Sequence, residues 1–275
     1  MTPKTALRLL AFVLTALMAG GCAAEKAETL PAFSIDFMST GKSDCAVICM
    51  DDLVILSDTA DTDDYNAVAA LLRQRGAEKI DYIIISHYDK DHIGAAGALI
   101  RAFPVGKVLR PDYVEDSDEF EKMMAAIAET DTEDVVLRET CVIETENGSL
   151  TADPPDKDYG DDNNNSVITT LTYKGRSILF MGDARKKRIE EHLSVALNHY
   201  DLIKLPHHGD SCKPLLRLVE DTRPAWAVEM VSRNEKVEED LLSALEKTGT
   251  ELFLTSDGPV RALWTGEGLS VQRNK

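Results

Sequence analysis

"IDYIIISHYDKDHIG", Ile80 to Gly94, is the stretch that decides the reading of this chain. It begins inside "KIDYIIIS", an apolar run without polar alternation, which predicts a strand buried on both faces. Two histidines and two aspartates then fall within six positions: His87, Asp89, Asp91 and His92. A buried strand that ends in a burst of titratable groups predicts that something is bound there. In an extended loop His87 and Asp89 share one face by the two-residue period, while Tyr88 and Lys90 point away. Asp91 and His92 come as the chain turns into a helix at Ile93, so they address a neighbouring point. One short segment can therefore feed two adjacent metal positions, because imidazole and carboxylate are the side chains that hold Zn, Mn or Fe.

Other strand ends carry the same chemistry. "LVILS" runs into Asp58, "SILFMG" into Asp183, and "LIKLP" into His207 and His208. Ligands of open α/β sheets bind beyond strand ends. Around them the pattern predicts strands at "FSIDFM", "CAVICM" and "LVILS", then a helix over "DTDDYNAVAALLRQRG" closed by Gly76. A small-residue helix "IGAAGALIRAF", a strand "GKVLRP" and a helix "SDEFEKMMAAIAE" capped by Ser117 follow. "TADPPDKDYGDDNNN" reads as a loop. The pattern then restarts with strands "SVITTLTY" and "RSILFMG" and a helix over "ARKKRIEEHLSVALN". "DLIKLP" and "PAWAVEM" are strands flanking a helix "KPLLRLVED". A helix "VEEDLLSALEKTG" and strands "ELFLTS" and "PVRALWTG" end the chain. Two halves, each with strands first and alternating helix and strand after, predict two packed sheets with helices outside.

Composition narrows the class. With 275 residues and 44% hydrophobic content, a well-formed core is expected and global disorder is excluded. The net charge of -18 disfavours long nucleic acid and anionic membrane as partners, unless bound cations or a local basic patch intervene. The beginning, "MTPKTALRLLAFVLTALMAGGC", has a basic start, a short apolar run and small residues up to Cys22. It reads as a secretory signal over 1–21. "AGGC" resembles a bacterial lipobox, which implies an acylated Cys22 and a flexible tether over 22–31, on the extracytoplasmic face of a bacterial membrane. Residues 32–275 are then expected to form one domain. Cys45, Cys49, Cys141 and Cys212 show no CxxC pairing, so a zinc knuckle is unsupported and buried free thiols are the expectation. His192 and His199 are expected at the surface of a charged helix. The basic run at Ala184–Arg188 reads either as a solvated helix face or as a phosphate contact beside Asp183.

"HYDKDH" followed by "IG", then "FMGDA", then "LPHHGD", in that order, resembles the metallo-β-lactamase superfamily. Within it the chain is most similar to the hydrolase domain of ComEC-like competence proteins and to that domain's free-standing secreted relatives. "IDFMSTGKSDCAVI", "LVILSDTA" and "NNNSVITTLTYKGRSILFMGD" extend the likeness over about residues 33 to 265. The resemblance implies a four-layer αββα sandwich of two mixed sheets. It implies His87 and Asp89 as ligands of a first metal, Asp91 and His92 as ligands of a second, and a bridging Asp183. His208 fits the last ligand position, with His207 as its alternative or neighbour, and Asp58 would orient the histidine loop. Asp89 stands where the superfamily commonly has His, and no histidine lies between His92 and His192. The first site is therefore poor in nitrogen, and Asp162, Asn163 or Asn165 are candidates to fill it. The implied cofactors are one or two divalent ions, Zn or Mn. The implied activity is metal-assisted hydrolysis in which Asp91 and Asp183 are catalytic, on a phosphodiester such as DNA or a nucleotide. The alternatives are an ester, lactone or lactam hydrolase, or a binding lipoprotein that has lost turnover.

Overall fold

The computed structural model describes residues 30–273. The signal segment, Cys22 and nearly all of the tether lie outside the described residues. The first sheet collects β1 (Phe33–Phe37), β2 (Ala46–Met50), β3 (Leu53–Ser57), β4 (Ile80–Ile84), β5 (Val105–Pro111) and β6 (Glu133–Leu137). The second holds β7 (Cys141–Glu144), β8 (Gly148–Asp153), β9 (Ile168–Tyr173), β10 (Arg176–Phe180), β11 (Leu202–Lys204), β12 (Trp226–Glu229) and β13 (Glu251–Leu254). A final hairpin, β14 (Val260–Thr265) and β15 (Gly268–Arg273), returns to the first sheet, where β14 pairs with β1 and Ile35 faces Ala262. The two-halves expectation is corrected here, since the last two strands complete the first half's sheet. Both sheets are mixed, with β3 to β6 parallel in one and β10 to β13 parallel in the other.

The helices are α1 (Tyr65–Gln74), α2 (Lys90–Ile93), α3 (Ala96–Ala102), α4 (Asp118–Glu129), α5 (Lys186–His192), α6 (Lys213–Thr222) and α7 (Glu239–Thr248). Three apolar cores give the four layers. Between the sheets lie Ile35, Ile48 and Ile55 from one and Leu171, Ile178 and Leu202 from the other. Val47, Leu56 and Ile83, on the opposite faces of the same strands, pack against Val68, Leu99 and Met123 of the helices. Leu179, Ile203 and Ala227 pack against Ile189, Leu218 and Leu241 on the far side. Strands buried on both faces have no polar alternation, which is why the runs read as continuous.

Ser117 caps α4 as expected, its Oγ accepting from the Phe120 N–H at 3.2 Å. Strands β6, β7 and β8, and the last strand β15, were not expected. β6 and β7 are sheet edges whose exposed Glu and Asp residues break the apolar signal, and β8 takes Thr151–Asp153 from the stretch read as loop. α5 is shorter than its charged pattern suggested. His192 is buried at its end rather than exposed, its Nε2 3.0 Å from Tyr200 Oη. All four cysteines among the described residues are free, with Cys45 and Cys49 buried.

Candidate metal centre

The loop after β4 is pinned from three sides before any side chain acts. Val167 N–H donates to Ser86 O at 2.8 Å, Thr59 N–H to His92 O at 2.7 Å, and Asp44 N–H to Asp91 O at 3.0 Å. Tyr88 turns away as expected, its Oη donating to Pro111 O at 2.8 Å in a buried aromatic cluster with Tyr113 and Phe120. Lys90 also turns away, to Asp61. Gly94 ends the loop where nothing larger fits: a Cβ there would lie 2.3 Å from Thr62 N.

Each histidine is oriented through Nδ1. Asp58, at φ 56° directly after β3, accepts from Ser86 N–H and Ser86 Oγ, both at 2.8 Å, and from His92 Nδ1 at 2.9 Å. Since the Ser86 hydroxyl proton is given to Asp58, its oxygen accepts from His87 Nδ1 at 3.0 Å. His208 Nδ1 donates to Met230 O at 3.0 Å. The proton is thereby placed on Nδ1 in all three rings, and each Nε2 lone pair faces inward. Those three Nε2 atoms lie 4.0, 3.3 and 3.6 Å from the carboxylate of Asp183 for His87, His92 and His208.

Asp183 is delivered by Gly182, whose φ of 51° and contact with Ser86 leave no room for a Cβ. Its backbone N–H donates to Ser166 Oγ at 3.2 Å. Asp89 approaches His87 Nε2 at 3.3 Å and Asp91 approaches His208 Nε2 at 3.4 Å. Three groupings of candidate ligands result: His87, His92 and Asp183; Asp91, His92 and His208; and Asp44, Asp58 and His92, the last on the Nδ1 side of His92 that Asp58 already occupies. His87 Nε2, His92 Nε2 and Asp183 Oδ1 are buried without a hydrogen-bond partner. Buried acceptors facing one another with no proton between them are costly unless a cation lies among them, so the donor set fits divalent metal. The carboxylates also set a strongly negative potential there. Burial opposes charge on His92, yet Asp183 and Asp58 outweigh it and raise the ring's pKa well above its ordinary value, so metal would bind in place of a second ring proton. Burial likewise works against ionised Asp183, but the rings of His92, His87 and His208 hold its pKa low.

The turn that carries the paired histidines places the two rings differently. Three successive left-handed residues, His207 at φ 46°, His208 at φ 52° and Gly209 at φ 81°, splay the rings apart. His208 turns into the cluster. His207 stays at the rim, its Nδ1 2.9 Å from Asp210 Oδ2 and its Nε2 3.0 Å from the Arg185 guanidinium. Of the candidates for the nitrogen-poor half, Asn165 is committed elsewhere, accepting from Tyr159 N–H and donating to Asp158. Asn163 Oδ1 is buried without a partner. Burial raises the Asp162 carboxyl, Asp89 adds to this and His87 counters it.

Sequence reasoning missed Ser86, Ser166, Asp44 and Lys204. Asp44 and Lys204 form a buried ion pair behind the site, and Lys204 Nζ also donates to Gly182 O at 3.1 Å. Asp44 lies on the Nδ1 side of His92 with Asp58, away from the inward-facing nitrogens. The available signal was a lysine inside the otherwise apolar strand "LIKLP".

Comparison with known proteins identifies the family. The chain is 24% identical over 167 residues to ComE operon protein 3 of Bacillus subtilis, covering 60% of this chain and 22% of that protein. It is 22% identical over 202 residues to Recombination protein 2 of Haemophilus influenzae, covering 72% and 24%. The chain thus spans about a quarter or less of the length of these curated relatives. Among solved structures, the metallo-beta-lactamase fold protein YhfI of Bacillus subtilis superposes with a TM-score of 0.56 at 13% identity, covering 81% of this chain and 96% of that one. The family model of the Metallo-beta-lactamase superfamily matches residues 39–226, most of the chain, and with its two mixed sheets this protein belongs to that superfamily.

Proposed function

We propose that the chain is a metal-dependent phosphodiester hydrolase. The observation that carries this reading is the composition of the cluster. Three inward Nε2 atoms meet the carboxylates of Asp89, Asp91 and Asp183, and the half built on His87 offers one ring nitrogen where the other half has those of His92 and His208. Oxygen-rich sites favour hard ions such as Mn²⁺, whereas imidazole-rich sites favour Zn²⁺. His92, His208 and Asp91 would hold one ion, His87 and Asp89 a second, with Asp183 shared. Bound divalent metal supplies an activated water at neutral pH and offsets charge developing on substrate oxygens. Asp58, Ser86 and the Met230 carbonyl keep the three rings in the tautomer that binding needs. Asp91, only partly buried and 3.4 Å from His208 Nε2, would accept a hydrogen bond from a reacting water. One relative's name, a recombination protein, supports a nucleic-acid type of phosphodiester. The sequence of residues 1–22 supports placement outside the cytoplasm, through a lipid on Cys22.

The test is to strip the protein with chelator and add back Zn²⁺, Mn²⁺ and Mg²⁺ separately. Cleavage of a model phosphodiester, a carboxylic ester, a lactone and a lactam is then measured. Mn²⁺-supported phosphodiester cleavage is expected. Two equivalents of Zn²⁺ giving full activity on the lactam, with the phosphodiester untouched, would overturn the reading. Metal binding without turnover of any substrate would make the protein a binding lipoprotein.

A further inference from the structure

The basic run after Asp183 divides in the fold. Arg188 is buried and structural, donating to Ser166 O at 3.1 Å and to Asp153 O at 2.7 Å, and pairing with the Asp153 carboxylate at 2.8 Å. Lys187 lies over the Tyr159 ring. Arg185 turns the other way. It is exposed, and its guanidinium donates to His207 Nε2 at 3.0 Å. A guanidinium only donates, so His207 Nε2 accepts and the ring's proton sits on Nδ1, given to Asp210 at 2.9 Å. The result is a chain, Asp210 to His207 to Arg185, ending at the rim of the metal cluster. His207 Nε2 is 4.0 Å from Asp183 Oδ2.

What holds this guanidinium matters more than that it is held. Arg75, Arg110, Arg138 and Arg176 are each paired with a carboxylate, which cancels their charge. Among the described residues no carboxylate pairs with Arg185. An imidazole acceptor fixes the side chain's direction and leaves its positive charge and remaining donors uncompensated. Asp210 polarises the ring and strengthens that acceptor. In a chain of net charge -18, held by a histidine whose Nε2 is 4.0 Å from the Asp183 carboxylate, a fixed and uncancelled cation is what an anionic substrate needs on approach.

We infer that Arg185, steadied by His207 and Asp210, is the anion clamp of the site. It takes a non-bridging oxygen of the substrate phosphate and makes the site prefer anionic esters over neutral ones. This rests on the phosphodiester reading and names the residue that would enforce it. His207 and Asp210 are positioning residues, acting through the guanidinium.

The test uses metal-loaded wild type, Arg185→Gln, Arg185→Lys and Asp210→Asn, with inorganic phosphate as the probe in calorimetry. Arg185→Gln should weaken phosphate binding by about ten- to a hundredfold, the worth of one hydrogen bond to a charged group. Metal stoichiometry should stay unchanged. Arg185→Lys should recover part of the loss, because charge returns without the planar fork, and Asp210→Asn should lose only a few-fold. The ratio of kcat/KM on an anionic phosphodiester to that on a neutral ester should fall about tenfold or more in Arg185→Gln. Unchanged phosphate affinity in Arg185→Gln, or equal losses on anionic and neutral substrates, would overturn the clamp. If the wild type binds phosphate through Arg185 yet cleaves no phosphodiester, the proposed function falls and the clamp stands. If it cleaves phosphodiesters while Arg185→Gln binds phosphate normally, the clamp falls and the function stands.

Discussion

Glu229 ends β12 with its side chain against Gly209, the residue that follows the paired histidines. It is 2% exposed, and its Oε2 has no hydrogen-bond partner. Burial pushes its carboxyl up to about 7 from an ordinary 4.5, and the nearby Glu235 and Glu238 push in the same direction. An acid with a raised pKa in the folded state keeps its proton longer folded than unfolded. Stability is therefore highest below the unfolded value, falls as pH rises from about 4.5 to about 7, and is level above that. At about 1.4 kcal/mol per pKa unit, the ionised group costs at most roughly 3 kcal/mol. Glu229→Gln keeps the shape and removes the titration. In urea unfolding of the chelator-treated protein, the variant should gain about 2 to 3 kcal/mol over wild type near pH 8. Near pH 4 it should gain nothing measurable. Comparing the two proteins at each pH cancels every other titrating group. An equal effect at both pH values, or a variant less stable than wild type near pH 8, would refute the reasoning. The second outcome would mean that the ionised carboxylate has a cationic partner in the folded protein.

Three further outcomes are expected. Asp58→Asn removes the charge that holds His92 Nδ1–H and should lower metal affinity by about ten- to a hundredfold, with the circular-dichroism signal retained; an unchanged metal titration would show that Ser86 suffices. Gly94→Ala drives a Cβ into the Thr62 backbone and should cost about 1 to 3 kcal/mol in urea unfolding, whereas wild-type stability would mean that the loop yields freely. Cys22→Ala should move the protein from the membrane to the soluble fraction, and unchanged membrane association would remove the lipid anchor from consideration.

The layered architecture and most of the cluster were legible in the sequence because both signals are local. A strand buried on two faces shows itself as an unbroken apolar run, as in "YIIIS". A ligand loop shows itself as titratable residues where such a run ends, as at His87 to His92. Where these local signals are weak, the reading failed. β6 and β7 are half-solvated edges, and the β14–β15 hairpin crosses back to β1 although about 225 residues separate them in sequence.

By itself, then, the sequence determined the two-sheet sandwich, the loop of four candidate ligands and the arrival of Asp183 and a histidine from other strands. Only the tertiary structure decided which histidine turns inward and which basic residue faces the site. "HHG" is symmetrical as text. His208 enters the cluster because three left-handed residues bring its Nδ1 to the Met230 carbonyl, and His207 stays outside because Asp210 and Arg185 take both its nitrogens. "ARKKR" is uniform as charge, yet Arg188 is buried on Asp153 and Arg185 stands at the rim. The Asp44–Lys204 pair joins positions 160 residues apart. A residue's type is written locally, but the hydrogen-bond partner that fixes a side chain's direction comes from packing, and packing is set by strands far apart in the chain.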